Sequence, residues 1–158
     1  MKKKNLFSKL FLLSFIFLVP LFGKAQSCDP IDALKLKDML IQMGYTVKDI
    51  GTEVGKEKYQ VDIKTSSFNV PLGYEISPSK NYIWLTANLG KPKDSTSTVN
   101  ADMLKQNGKI QPCQFYITSK GILMMGLAVE NRGLTPAIMR RHTDKITADV
   151  SSTSALWK

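Results

Sequence analysis

Residues 59–89 read YQVDIKTSSFNVPLGYEISPSKNYIWLTANL. Tyr59, Val61 and Ile63 alternate with Gln60, Asp62 and Lys64, and Phe68, Val70, Leu72, Tyr74 and Ile76 resume the alternation after Thr65-Ser66-Ser67. From Tyr82 to Leu89, Ile83, Leu85, Ala87 and Leu89 fall on one side, with Tyr82, Trp84, Thr86 and Asn88 on the other. Successive side chains of a strand point to opposite faces, so a period of two marks strands buried on one face only. Ser77-Pro78-Ser79-Lys80-Asn81 is turn chemistry between the second and third runs. Pro71 and Gly73 predict an edge position or a bulge. The stretch predicts an antiparallel meander.

Upstream, Tyr45-Thr46-Val47 is long enough for a short edge strand, and a helix precedes it. Asp29 is read as the N-cap, Pro30 as the first helical residue and Gly44 as the left-handed stop. Ile31, Leu34, Met39, Leu40 and Met43 form its inward stripe. Downstream, residues 90–97 connect to a short helix, Thr98 to Asn107, with Val99, Met103 and Leu104 inward. Strands over Gln114 to Thr118 and Ile122 to Glu130 follow, joined by a tight turn at Ser119-Lys120-Gly121. Thr135 and Pro136 open a last helix with Ile138, Met139, His142, Ile146 and Val150 inward, continuing toward Leu156-Trp157. The expected fold is α+β: an antiparallel sheet of about five strands packed against N- and C-terminal helices, in the order α-βββ-α-ββ-α.

The 158 residues carry a formal charge of +9, which would suggest a nucleic-acid partner if it were gathered on a folded surface. It is not. Lys2, Lys3, Lys4, Lys9 and Lys24 stand in the first 25 residues, around an apolar run from Leu10 to Phe22 broken by Ser14 and Pro20. That run is shorter than the ~20 residues of a membrane-crossing helix. Gly23 and Ala25 offer the small residues of a cleavage site. Residues 1–25 are therefore read as a signal peptide, and residues 26–158 as one exported domain, periplasmic or secreted. With five of the 22 basic residues removed, 17 basic side chains face 13 acidic ones, a net charge of +4. Such a charge serves solubility, and no dense basic stripe remains for nucleic acid.

Cys28 and Cys113 then enter an oxidising compartment, where a Cys28–Cys113 disulfide is the expectation from cysteine arithmetic. The competing reading lipidates Cys28, which would bring the chain to a membrane as an anchored structural protein. Ala25, three places earlier, is not the large aliphatic residue usual before a lipoprotein cysteine.

Groups able to do chemistry are sparse. His142 is the sole histidine, so multi-histidine metal sites are ruled out. Cys113 with His142 has no accompanying motif for a nucleophile and base. Asp62, Glu75 and Glu130 lie on separate strands, and Gly51 and Gly55 lack the Lys-Ser/Thr of a phosphate loop. No catalytic residue, metal, cofactor or small-molecule substrate is expected. An envelope enzyme of unrecognised chemistry is the alternative. The polar face of the sheet instead collects Tyr82, Trp84 and Tyr116 beside Thr86, Asn88 and Gln114, aromatic anchors of the kind that hold partners.

Several phrases carry a family likeness: Leu40-Ile41-Gln42-Met43-Gly44-Tyr45, Tyr82-Ile83-Trp84-Leu85, Met103-Leu104-Lys105-Gln106-Asn107, Phe115-Tyr116-Ile117 leading into Gly121-Ile122-Leu123, and Leu134-Thr135-Pro136. In that order and spacing the chain resembles the YbjN-like family of sensory transduction regulators, whose fold looks like that of the type III secretion chaperones. The resemblance implies an antiparallel sheet backed by the first and last helices, frequent dimers, no catalytic centre and binding to other proteins. Those chaperones are usually acidic and cytoplasmic, whereas this chain is mildly basic with an export signal, which weighs against carrying over their role at a secretion machine. The function expected is an exported, non-catalytic module that binds a protein partner or dimerises through its sheet, with Tyr82, Trp84 and Tyr116 as contact residues.

Overall fold

The computed structural model describes residues 29–92 and 97–158; the signal peptide read over residues 1–25 and Cys28 lie outside them. In chain order the elements are α1 (Ala33–Gln42), β1 (Val47–Gly51), β2 (Lys58–Lys64), β3 (Asn69–Ile76), β4 (Tyr82–Gly90), α2 (Ser97–Asn107), β5 (Gln114–Ile117), β6 (Leu123–Glu130), α3 (Pro136–Ser152) and α4 (Ser154–Trp157). The fold is α+β, as the alternation predicts. All strand pairs are antiparallel, in one sheet ordered β1-β2-β3-β4-β6-β5.

The sheet has six strands rather than five, because the short strand expected near Tyr45 is displaced to Val47–Gly51 and pairs with β2 through Val47, Lys48, Asp49 and Gly51. Its apolar content is low, so pairing rather than periodicity makes it a strand. Register carries the alternation across the sheet. One inward row runs Val61, Leu72, Ala87, Met125 and Phe115, and another runs Tyr59, Tyr74, Leu85 and Leu127. These side chains are buried with Leu36 and Leu40 of α1 and Met139, Ile146 and Val150 of α3. The Tyr74 hydroxyl lies 3.0 Å from that of Thr143, which satisfies both inside the core.

Local signals misplace some details. The cap of α1 is Asp32, not Asp29: its carboxylate accepts from the Lys35 backbone N–H at 2.8 Å. The preceding Ile31 is held in extended pairing by Asn131, so the helix cannot begin earlier. Starting the helix at Ala33 makes Leu36, Leu40 and Met43 its inward stripe, a spacing of four and three. Leu34 falls outside that stripe and is 73% exposed. On α2, Met103 is buried but Leu104 is 70% exposed, and the side chain of Val99 lies outside the described ones. Ile117, two residues beyond the buried Phe115, is 50% exposed at the end of the edge strand β5. On α3 the inward positions are Met139, Thr143, Ile146, Asp149 and Val150, leaving His142 half-buried at the flank. The last helix breaks at Thr153 before α4.

The open sheet face as candidate binding site

The outer face of the sheet is built from the alternate residues of the same strands. One row reads Lys58, Glu75, Trp84 and Ala128; the next reads Gln60, Gly73, Thr86, Gly126 and Gln114; Asn88, Met124 and Tyr116 form the third. The middle row is low because two of its positions have no side chain, and neighbouring side chains occupy the space above both glycines. A Cβ on Gly73 would stand 2.9 Å from Thr86 Oγ1, and one on Gly126 would stand 2.9 Å from Tyr116 Cε1. Tyr116 therefore turns the Cε1 edge of its ring toward Gly126 and remains 36% exposed.

A shallow trough of about 630 Å³ crosses this face, from Ile50 and Lys58 past Gly73 and Thr86 to Tyr116 and Met124. At its aromatic end a pocket of about 420 Å³ is lined by Glu75, Trp84, Thr86, Gln114 and Tyr116. Trp84 and Tyr116 thus flank a polar floor. Among the described residues, the indole N–H of Trp84, the Thr86 hydroxyl and the Gln114 amide have no hydrogen-bond partner. Tyr82 shares the face but stands at the start of β4, opposite Glu130, 48% exposed and outside both hollows. The structure therefore unites two of the three aromatic residues expected from the sequence.

The charges of the face are internally matched. Lys58 pairs with Glu75, and Lys48 with Asp62 at 2.5 Å. Hydrogen bonds from Lys48, then Gln60, hold the Asp62 carboxyl below its usual range. Burial, then the nearby Glu75 carboxylate, pushes the Tyr116 phenol up, so it stays a neutral donor and acceptor at ordinary pH. From the sequence Pro71 and Gly73 predict an edge or a bulge, but β3 is an interior strand in unbroken register with β2 and β4, and Gly73 instead makes room for the Thr86 side chain. A lone glycine within an alternating run is a weak signal of close approach, and only the register reveals what approaches.

Sheet edges are less available than the face. The Asn107 side chain works as a surrogate strand for β5, its Oδ1 accepting from the Phe115 N–H at 2.7 Å and its Nδ2 donating to the Phe115 carbonyl at 3.2 Å. On the other edge β1 carries Lys48 and Asp49 and a register shift between Asp49 and Gly51, features that discourage strand addition.

The remaining sequence candidates lie elsewhere. Cys113 is a wholly buried thiol on the helix-facing side, and its bond with Cys28 concerns a residue outside the described ones. Burial, then a hydrogen bond to Asp149, pushes the thiol up to about 12. Its ionisable neighbours are Asp149 and Lys145, which pair at 2.5 Å, rather than His142. Burial, then the charge of Arg141, lowers the His142 pKa. Among the described residues no three His, Cys, Asp or Glu side chains gather to hold a metal, and no helix is long and apolar enough to cross a membrane.

No protein-family model matches the chain, and no curated protein or solved structure matches it.

Proposed function

We propose that the chain is an exported, non-catalytic binding module that holds another protein on the open face of its sheet. The observation that carries this reading is the uncovered aromatic end of the face. Trp84 and Tyr116 stand over polar groups with unused hydrogen-bonding capacity, while both helices that span the core lie on the opposite side. Tyr and Trp bury large areas at small entropic cost and keep a polar edge, the properties of interface anchors. The matched charges of Lys58–Glu75 and Lys48–Asp62 favour a partner surface without strong net charge. The reading of residues 1–25 as a signal peptide supports a periplasmic or secreted site of action. The YbjN-like phrases support protein binding without catalysis.

The test is partner capture by crosslinking in the native cell, with sedimentation of the purified protein. Trp84→Ala and Tyr116→Ala are expected to reduce recovery of the partner, or self-association if the partner is a second copy, at least tenfold with the far-ultraviolet circular dichroism unchanged. Full recovery by both folded variants would remove the face from the function.

A further inference from the structure

Resting on the reading of the open face as a binding surface, we infer that the pocket between Trp84 and Tyr116 grips a neutral pyranose, one unit of an oligosaccharide. Its chemistry disfavours charged and purely apolar ligands. A charged ligand finds no net charge, because the Glu75 carboxylate is matched by Lys58. A purely apolar ligand would cover the Thr86 hydroxyl, the Gln114 amide and the Trp84 indole N–H without replacing their bonds to water, which is costly. A ligand with one apolar face and an equatorial girdle of hydroxyls suits both demands. Its C–H face packs on the electron-rich faces of the aromatic rings, and its hydroxyls exchange donors and acceptors with Gln114, Thr86 and Glu75.

The two aromatic side chains reach the pocket from the rows on either side of the middle one. Tyr116 reaches with its ring edge to Gly126, which pairs with Thr86, so its ring borders the middle row. Trp84 stands one row away, two residues along β4, about 6.6 Å at about 3.3 Å per residue. The pocket volume of about 420 Å³ lies within the range of small-ligand sites. The polar trough running on past Gly73 toward Gln60 and Lys58 gives room for neighbouring sugar units.

The experiment titrates the folded protein with a panel of neutral oligosaccharides, of β-linked glucose, N-acetylglucosamine and α-linked mannose, followed by tryptophan fluorescence and by ligand-observed magnetic resonance. At least one is expected to bind saturably below about 10 mM. Affinity is expected to fall at least tenfold in Trp84→Ala, in Tyr116→Ala and in Gly126→Ala, which lifts the Tyr116 ring without removing it. Gln114→Ala, on the rim of the edge strand, guards against loss of fold and is expected to cost about threefold. Absence of saturable binding across the panel, or binding unchanged in folded Trp84→Ala and Tyr116→Ala, overturns the inference. If protein capture still depends on the face in that case, the proposed function stands without the sugar. If sugar binding depends on these residues but protein capture does not, the sugar stands and the protein reading falls. Enzymatic deglycosylation of a captured partner separates the two sources of the sugar, since loss of capture marks a glycan carried by that partner and persistence marks a free oligosaccharide.

Discussion

Asn131 is wholly buried, and both polar ends of its side chain are committed to backbone. Its Oδ1 accepts from the Ile31 N–H at 3.2 Å, and its Nδ2 donates to the carbonyls of Ile31 at 3.0 Å and Lys80 at 2.9 Å. One residue thereby ties the entry to α1, the turn between β3 and β4 and the end of β6. Replacing it with Ala leaves those groups unsatisfied, and Asn131→Ala is expected to lose about 3 kcal/mol in urea denaturation. A loss under about 1 kcal/mol would refute the tie. The sequence gives no warning of this role, since an Asn after a strand reads as an ordinary turn residue.

At the same scale, Cys113 sets a pH dependence. Its thiol is held up to about 12 in the folded protein against 9.0 for an exposed thiol. Between those values the unfolded chain has lost the proton and the folded chain retains it, so stability is intact below pH 9 and declines as pH rises from there toward 12. The expected slope is about 1.4 kcal/mol per pH unit, and Cys113→Ala should lose that component. If Cys113 instead forms the bond expected with Cys28, there is no thiol to titrate. Labelling with a thiol reagent before and after unfolding decides: a residue at 113 labelled only once the protein is unfolded marks a buried free thiol.

Among the elements, α1 and β5 show how tertiary contacts refine local signals. Asp29-Pro30 reads as a helix start by residue type, yet the helix begins where Asp32 can cap it, because Ile31 is drawn into pairing with Asn131. Asp32→Ala is expected to cost about 1 kcal/mol in thermal or chemical unfolding. The β5 edge is closed at Phe115 by Asn107, so Asn107→Ala should both lose about 1–2 kcal/mol and raise concentration-dependent association in sedimentation, since it uncovers a strand edge. Unchanged association would show that α2 itself protects the edge.

For the whole molecule, the exposed pairs Lys37–Asp49, Lys48–Asp62 and Lys58–Glu75 lie on the surface of a two-layer fold held by its apolar core. Surface pairs contribute little and are screened by salt, so raising sodium chloride to about 1 M should change the unfolding free energy by less than about 1 kcal/mol. A larger loss would mean that the matched charges of the sheet hold the fold as well as the face.

The amino-acid sequence by itself determined the strands β2 to β4, the turn at Ser77–Asn81, the helix stop at Gly44 and the Thr135-Pro136 start of α3, since each depends on neighbours a few residues away. It also separated Ile83, Leu85 and Ala87 from Trp84 and Thr86, because alternation is a property of a single strand. Only the tertiary structure decided that β6 lies between β4 and β5, and that order brings Gln114 and Tyr116 to the Trp84 pocket. It likewise decided that Tyr82 stands apart and that Gly126 admits the Tyr116 ring. Such placements join residues tens of positions apart through register and packing, which no local pattern encodes.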